Sequence, residues 1–285
     1  MSRVIFVNGQ YHDYSKSNIH VEDRGYQFAD GVYEVFTVIN SCIVDYTQHL
    51  DRLYRSLSEL KINSPLSKKT YIFHIRNIIR KNMIDNGTVY LQVTRGVEPR
   101  DFKYSKNIKS SITIIGKIIP VNKFNHNIVN GINVVTTKDL RWKRCDIKSL
   151  NLLPPVLAKQ FAHENNAIEA WLLDNDGFVT EGSSSTAWIL DKNNCLRTAS
   201  LKNNILSGIT RETFLTGLKK NKIKFKEVSF NLKDIRSAKE AYISSATTFV
   251  TPVNKVDNFK IGNGKPGKFA PIFLDIYKKA IKLQS

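Results

Sequence analysis

Cysteine is scarce in this chain: 285 residues carry three, Cys42, Cys145 and Cys195, far apart and odd in number. That pattern excludes a disulfide framework and a CxxC metal site, and points to a reducing compartment and to chemistry without a bound metal. Long apolar runs are missing as well. Met1-Ser2-Arg3 leads straight into a strand pattern with no extended apolar targeting segment, and no stretch reaches the length of a membrane span. A cytoplasmic protein with no membrane partner is expected.

Acidic residues are few, 25 against 43 Lys and Arg, which leaves a formal net charge of +18. Clustered cations bind phosphate backbones through counterion release, so a basic nucleic-acid-binding protein is one reading. It demands steeply salt-sensitive binding to duplexes. Clustering is what the chain does not have. Lysines run from Lys16 to Lys282, and the densest groups, Lys68-Lys69, Lys219-Lys220-Asn221-Lys222 and Lys278-Lys279, fall at the ends of expected amphipathic helices, where a cation favours the helix dipole. A solvated surface and no nucleic-acid partner are expected.

Hydrophobic residues make up 41% of the chain and glycines number only 14, enough for a large core shared by two domains of ordinary size. The boundaries read as 1–119 and 132–285, joined by the polar stretch 120–131. Strands and helices are mixed within each half, which gives an α+β class.

In chain order, Val4 to Val7 and Ile19 to Val21 flank a turn at Asn8-Gly9 and read as a hairpin. Val32 to Ile39 alternates as a strand with Tyr33 and Val35 on one face and Glu34 on the other. Tyr33 is therefore either a pocket residue or a core tyrosine with a satisfied hydroxyl. Leu50, Leu53, Leu57 and Leu60 mark a helix from about Thr47, with Arg52 off the leucine stripe, either facing solvent or reaching an anion. A second helix is expected over Lys69 to Lys81, and strands over Val89 to Thr94 and Ser111 to Ile119. Between those strands, Pro99 stiffens a loop that displays Arg100, whose planar fork suits a carboxylate.

The second half opens with the strand Ile132 to Thr137 and the basic run Arg141-Trp142-Lys143-Arg144. Cys145-Asp146-Ile147-Lys148-Ser149-Leu150-Asn151 then reads as the end of a strand entering a turn, with Lys148 partly buried at its centre. A buried ammonium must be paired, deprotonated or covalently occupied, and the last two states suit Schiff-base chemistry. The plainer alternative is one more solvated lysine.

Pro154-Pro155 starts a helix whose apolar positions include Val156, Leu157, Phe161 and Ala162, and Ala167 to Leu173 is a strand. Val179-Thr180-Glu181-Gly182-Ser183-Ser184-Ser185 sets one carboxylate beside four tiny residues. Those residues would let a flat ligand approach while Glu181 meets a ring nitrogen or an amine, unless this is a plain surface turn.

Leu206-Ser207-Gly208-Ile209-Thr210 precedes a helix over Arg211 to Lys220, and such a helix start suits a phosphate. Glu240 to Ser244 is a further strand that ends in hydroxyls from Ser244 to Thr248. Gly262-Asn263-Gly264-Lys265-Pro266-Gly267 matches GxGxxG only literally, because Pro266 interrupts it and a single helix follows.

Taken together, EDRGYQFADGVYEV (22–35), HLDRLYRS (49–56), YLQVTRGVEPR (90–100), LRWKRCDIKSLNLL (140–153), VTEGSSS (179–185) and SGITR (207–211) resemble the fold-type IV (class IV) pyridoxal-phosphate aminotransferases. Within that family the chain is most similar to the bacterial D-amino-acid aminotransferases. The segments occur in the family's order and span most of the chain.

The resemblance implies two domains, each a mixed β-sheet or barrel with flanking helices, and pyridoxal 5'-phosphate as cofactor. Lys148 matches the Schiff-base lysine that also shuttles the substrate proton. Glu181 matches the acid paired with the pyridine nitrogen. Arg52, Ile209 and Thr210 match the phosphate-binding groups, and Leu206 and Ser245 also fall at cofactor positions. Tyr33 and Arg100 match two members of a carboxylate trap, Arg100 coming from the neighbouring subunit of a homodimer, and Trp142 lies where the family has a tryptophan near the site.

Two positions depart from the pattern: Phe102 stands where the trap often has a histidine, and Ala246 replaces a hydroxyl residue after Ser245, a role Thr247 could take over. The implied activity is ping-pong transfer of an amine from a D-amino acid such as D-alanine to a 2-oxo acid such as 2-oxoglutarate. Branched-chain L-amino-acid aminotransferases, R-selective amine transaminases and 4-amino-4-deoxychorismate lyases share the fold and the lysine.

Overall fold

The computed structural model describes residues 3–284, so Met1 and Ser2, read above as leading into the first strand, lie outside the described residues. Contacts divide the chain into two units. One runs to Pro120 and takes in Ile147–Asn151 and the residues from Lys282 onward, and the other comprises Val121–Asp146 and Leu152–Ile281. Both units are mixed α and β, with helices packed on a sheet.

The first unit contains β1 (Val4–Val7), β2 (Gln10–Asp13), β3 (Gly31–Ile39), β4 (Cys42–Val44), β5 (Gly87–Thr94) and β6 (Ser111–Ile118). With the C-terminal strand Leu283–Gln284 they form a seven-stranded sheet in the order Leu283–Gln284, β4, β3, β5, β6, β1, β2, antiparallel throughout. The opening hairpin closes sooner than the sequence suggests. Asn8 and Gly9 both have positive φ, 47° and 96°, so a two-residue turn of the primed type returns the chain at Gln10, and Ile19 to Val21 is not a strand.

The short helix α1 (Arg24–Phe28) precedes β3, while α2 (Tyr46–Glu59) and α3 (Lys68–Lys81) cover one face of the sheet. Leu50, Leu53 and Leu57 of α2 and Tyr71, Ile75 and Ile78 of α3 close over Phe36, Leu91 and Ile114 in one buried cluster. Ile147 belongs to that cluster, which is why residues 147–151 pack with the first unit. The start of α2 is tied down from far along the chain. Asp45 sits at φ 49° and makes no side-chain cap, and the Tyr46 N–H donates instead to the Gln284 side chain at 2.9 Å.

The second unit begins with α4 (Val121–Asn130), a helix within the stretch read as the connection between domains. Its strands are β7 (Ile132–Lys138), β8 (Glu169–Leu173), β9 (Val179–Gly182), β10 (Thr186–Leu190), β11 (Leu196–Thr198), β12 (Phe225–Glu227), β13 (Glu240–Ser245), β14 (Phe249–Val256) and β15 (Phe259–Lys260). They form a nine-stranded mixed sheet in the order β12, β11, β10, β13, β14, β7, β8, β9, with β15 pairing β14. The flanking helices are α5 (Leu153–Glu164), α6 (Ile209–Lys220), α7 (Leu232–Ser237) and α8 (Phe269–Ala280).

One detail of this unit goes beyond the sequence reading and one differs from it. On α5 the buried positions are Ala158 and Ala162, while Val156, Leu157 and Phe161 face outward, because the small alanines let the helix lie close on β8. Helix α6 starts at Ile209 rather than Arg211, with Gly208 as its N-cap.

Gln284→Ala should remove the acceptor at the start of α2 at a cost of about 1 kcal/mol, lowering Tm by about 2–4 °C. Thermal unfolding followed by circular dichroism checks it; an unchanged Tm would show the contact to be dispensable.

Candidate active site

Lys148 does not end a strand. It lies in an irregular segment clasped against the start of β3: the Tyr33 N–H donates to the Lys148 carbonyl at 3.0 Å, and the Leu150 N–H donates to the Gly31 carbonyl at 3.0 Å. Ser149 forms an isolated antiparallel bridge with Val32. A Cβ at Gly31 would stand 2.6 Å from the Val93 carbonyl and 2.8 Å from Leu150, so only glycine permits this approach.

Ile147 is sunk in the core, and the Lys148 side chain lies toward Tyr33. Its Nζ stands 4.2 Å from the centre of the Tyr33 ring, and the residue is half-buried. Tyr33 in turn stacks on Tyr90 of the neighbouring strand at 5.7 Å.

The opposite face of β3 carries a group that the sequence reading passed over. Glu34 is fully buried and accepts from Arg52 Nε at 2.8 Å, from Arg52 Nη2 at 2.8 Å and from His49 Nδ1 at 2.7 Å. Arg52 is therefore not a solvent-facing residue beside the leucine stripe. It lies in the interior with 9% of its surface exposed, on the side of α2 that faces β3.

Burial by itself would raise the Glu34 carboxyl, but the charges and hydrogen bonds of Arg52 and His49 outweigh it and hold the group at about 2. Burial pushes the His49 imidazole below its ordinary value, and the Glu34 carboxylate pulls against it. One α2 turn further on, the Ser56 hydroxyl accepts the Lys148 N–H at 3.3 Å.

Arg100 is exposed on its loop, its guanidinium 4.6 Å from the centre of the Phe28 ring. Phe102 is 85% exposed and tilts against the same ring. The loop is held from behind by Arg24, which donates to Asp30 at 3.0 Å, to the Asp101 carbonyl at 2.6 Å and to the Lys103 carbonyl at 3.1 Å.

In the second unit Glu181 is buried on β9, where it accepts the Leu206 N–H at 3.3 Å and a charge-assisted bond from Arg141. Arg141 also grips Asp139, through Nη2 at 2.6 Å and Nε at 2.9 Å. Burial pushes the Glu181 carboxyl upward, and Arg141 and the Leu206 N–H pull against it. Arg141 is the counter-cation that the sequence reading left inside a basic run.

Trp142 lines a cavity of about 540 Å³ together with Asp139, Arg141, Cys145, Phe178 and Thr180. Burial pushes the Cys145 thiol up to about 11, so it stays protonated.

The serines after Glu181 have an internal purpose. Glu169, 1% exposed, accepts from the hydroxyls of Ser183, of Ser184 at 3.0 Å and of Ser185 at 2.9 Å. Gly182 is needed because a Cβ there would meet the Ser185 hydroxyl at 2.3 Å. Ile209 and Thr210 are buried in the first turn of α6, whose N–H groups helix geometry leaves without intrahelical acceptors. Ser245 shares its hydroxyl with Thr248 Oγ1 at 2.8 Å and accepts the Thr248 N–H at 3.2 Å.

Because the Glu34 carboxyl lies lower in the folded chain than in the unfolded one, its contribution is complete above about pH 4.5 and is lost as pH falls through about 2. The loss amounts to about 3 kcal/mol. Glu34→Gln should destabilise at neutral pH and flatten this acid limb, which urea unfolding at stepped pH would show; an acid limb as steep as the wild type's would assign that loss to other groups.

Residues 31–256 match the family described as amino-transferase class IV. The chain is 40% identical over 270 residues to a D-alanine aminotransferase of Listeria innocua, covering 92% of this chain and 91% of the relative. It is 36% identical over 282 residues to one of Staphylococcus haemolyticus, covering 99% of each. In fold it is similar to the branched-chain amino acid aminotransferase from Escherichia coli, with a TM-score of 0.86 at 20% identity over 96% of this chain and 92% of that one. The chain belongs to the class IV aminotransferases.

Proposed function

We propose that this chain is a pyridoxal-phosphate-dependent transaminase that moves an amino group from a D-amino acid of the D-alanine type to a 2-oxo acid such as 2-oxoglutarate. The observation that carries the reading is Lys148, seated on Tyr33 by its own main chain, within a sequence that aligns almost end to end with curated D-alanine aminotransferases. The donor set fits the cofactor's chemistry: an amine for its aldehyde, a buried acid for its ring nitrogen, and an arginine and a helix start for its phosphate.

When bound, the cofactor supplies a carbonyl that takes the substrate's amine and a ring that withdraws electrons from its Cα. The chain's residues do the rest. Lys148 Nζ would hold the cofactor and would carry the proton to and from the substrate's Cα. Glu181, paired with Arg141, would hold a proton on the ring nitrogen, with the Leu206 N–H steadying its carboxyl group. Arg52, the N–H groups and hydroxyl of Ile209 and Thr210, and Ser245 would hold the phosphate. Tyr33 and Arg100 would orient the substrate carboxylate.

The same reading takes the protein to be a cytoplasmic homodimer in which Arg100 serves the neighbouring subunit. The outward apolar side chains Leu153, Val156, Leu157 and Phe161 of α5 support such self-association.

The wild type should be yellow and should lose its colour with borohydride. Lys148→Ala should abolish colour and turnover together, and Glu181→Gln should lower kcat by about a hundredfold. A panel of D- and L-amino acids with 2-oxoglutarate tests the substrate class. Turnover of D-alanine supports the reading, and turnover confined to branched-chain L-amino acids contradicts it. A wild type that stays colourless with added pyridoxal phosphate and binds duplexes in a salt-sensitive way would overturn it.

A further inference from the structure

Three polar side chains are buried along one side of α2, at positions 49, 52 and 56, a spacing that stacks them on a single helical face. Each has a defined partner in the first unit. His49 and Arg52 both meet Glu34, and Ser56 meets the Lys148 main chain. Glu34 is the hub. Its Oε1 accepts from Arg52 Nε, and its Oε2 accepts from both Arg52 Nη2 and His49 Nδ1. The residue is 0% exposed, His49 is 3% exposed, and the His49 ring packs on Phe36 at 5.1 Å.

A two-point grip through Nε and Nη2 fixes the plane of the guanidinium as well as its position. An arginine otherwise has many rotamers, and an anion that captures it must order them at a cost in affinity.

We propose that Glu34 is a positioning residue that holds the Arg52 guanidinium in one orientation for the phosphate of the cofactor, with His49 completing the grip; the inference rests on the reading of Arg52 as a phosphate-binding residue. Two effects of Glu34 oppose each other. Its negative charge offsets part of the attraction between Arg52 and a phosphate, while its hydrogen bonds set the arginine in place before the phosphate arrives. In a buried setting the second effect wins, because a guanidinium without a counterion would shift toward other acceptors or toward water rather than stay in place.

The test compares two ligands that share the aldehyde and the ring but differ in the phosphate. Apo forms of the wild type, Glu34→Gln and Arg52→Ala are titrated with pyridoxal 5'-phosphate and with pyridoxal, following tryptophan fluorescence. Glu34→Gln should weaken pyridoxal phosphate by about tenfold and leave pyridoxal within about twofold. Unchanged or tighter binding of pyridoxal phosphate would overturn the proposal. So would an equal loss for both ligands, which is what a merely structural role produces.

Arg52→Ala separates this idea from the reading beneath it. If Arg52→Ala weakens only pyridoxal phosphate while Glu34→Gln does not, the arginine's role stands and the positioning claim fails. If Arg52→Ala leaves pyridoxal phosphate binding unchanged, both fail. Should Glu34→Gln not fold, Glu34→Asp keeps the charge but retracts the carboxylate by one methylene. A selective loss of pyridoxal phosphate binding then supports the proposal and unchanged binding overturns it.

Discussion

Two main-chain hydrogen bonds, from Tyr33 to the Lys148 carbonyl and from Leu150 to the Gly31 carbonyl, fasten a five-residue segment to β3 in the first unit's sheet. Much of the site organisation in that unit follows from this clasp. The segment is far along the chain, yet it behaves as part of the first sheet because Ile147 is one of that sheet's core residues. Lys148, the next residue, lies over the ring that β3 offers there. The same strand then divides its labour by simple alternation: Tyr33 lies under the lysine, and Glu34 lies beneath the sheet with Arg52.

Buried charge is handled in the same way in each unit. A carboxylate in the interior costs far more than one at the surface unless its lone pairs are filled, and here they are filled by side-chain N–H groups and hydroxyls. Glu34 has Arg52 and His49, Glu181 has Arg141, and Glu169 has Ser183, Ser184 and Ser185 with Lys159 at 3.3 Å. Arg141 also leans on Asp139, so the acid proposed for the ring nitrogen is the end of a short chain of charges rather than an isolated group. Such chains restrict geometry, and geometry is what a transaminase needs at each point where it touches its cofactor.

Much of this could be read from the sequence, and the rest could not for definite reasons. The alternation of β3 and the leucine stripe of α2 are local patterns, and they point to the right elements, whereas the segment at Lys148, read as the end of a strand, is irregular. The counterions are not local. Glu34 and Arg52 are 18 positions apart and Arg141 and Glu181 are 40 apart, so their pairing emerges only when strands and helices have packed. A signal was nonetheless available: a glutamate on an otherwise apolar strand face, opposite a helix with an arginine, calls for a partner.

Which face of α5 turns inward was not legible from its apolar positions, and close packing on the sheet selects the alanines. The serine run after Glu181 looked like space for a ligand, and it turned out to be the donors of a buried carboxylate. The C-terminal strand and its glutamine, which caps α2 across 238 positions, left no local trace at all.

The central claim is that one lysine among many is set apart by its position in the fold. Reducing the pyridoxal-phosphate-loaded protein with borohydride, digesting it and mapping the modified peptides by mass spectrometry tests that claim most directly. The account predicts a single stable adduct on the peptide containing Lys148. Label spread over surface lysines, or placed on a different lysine, would contradict it.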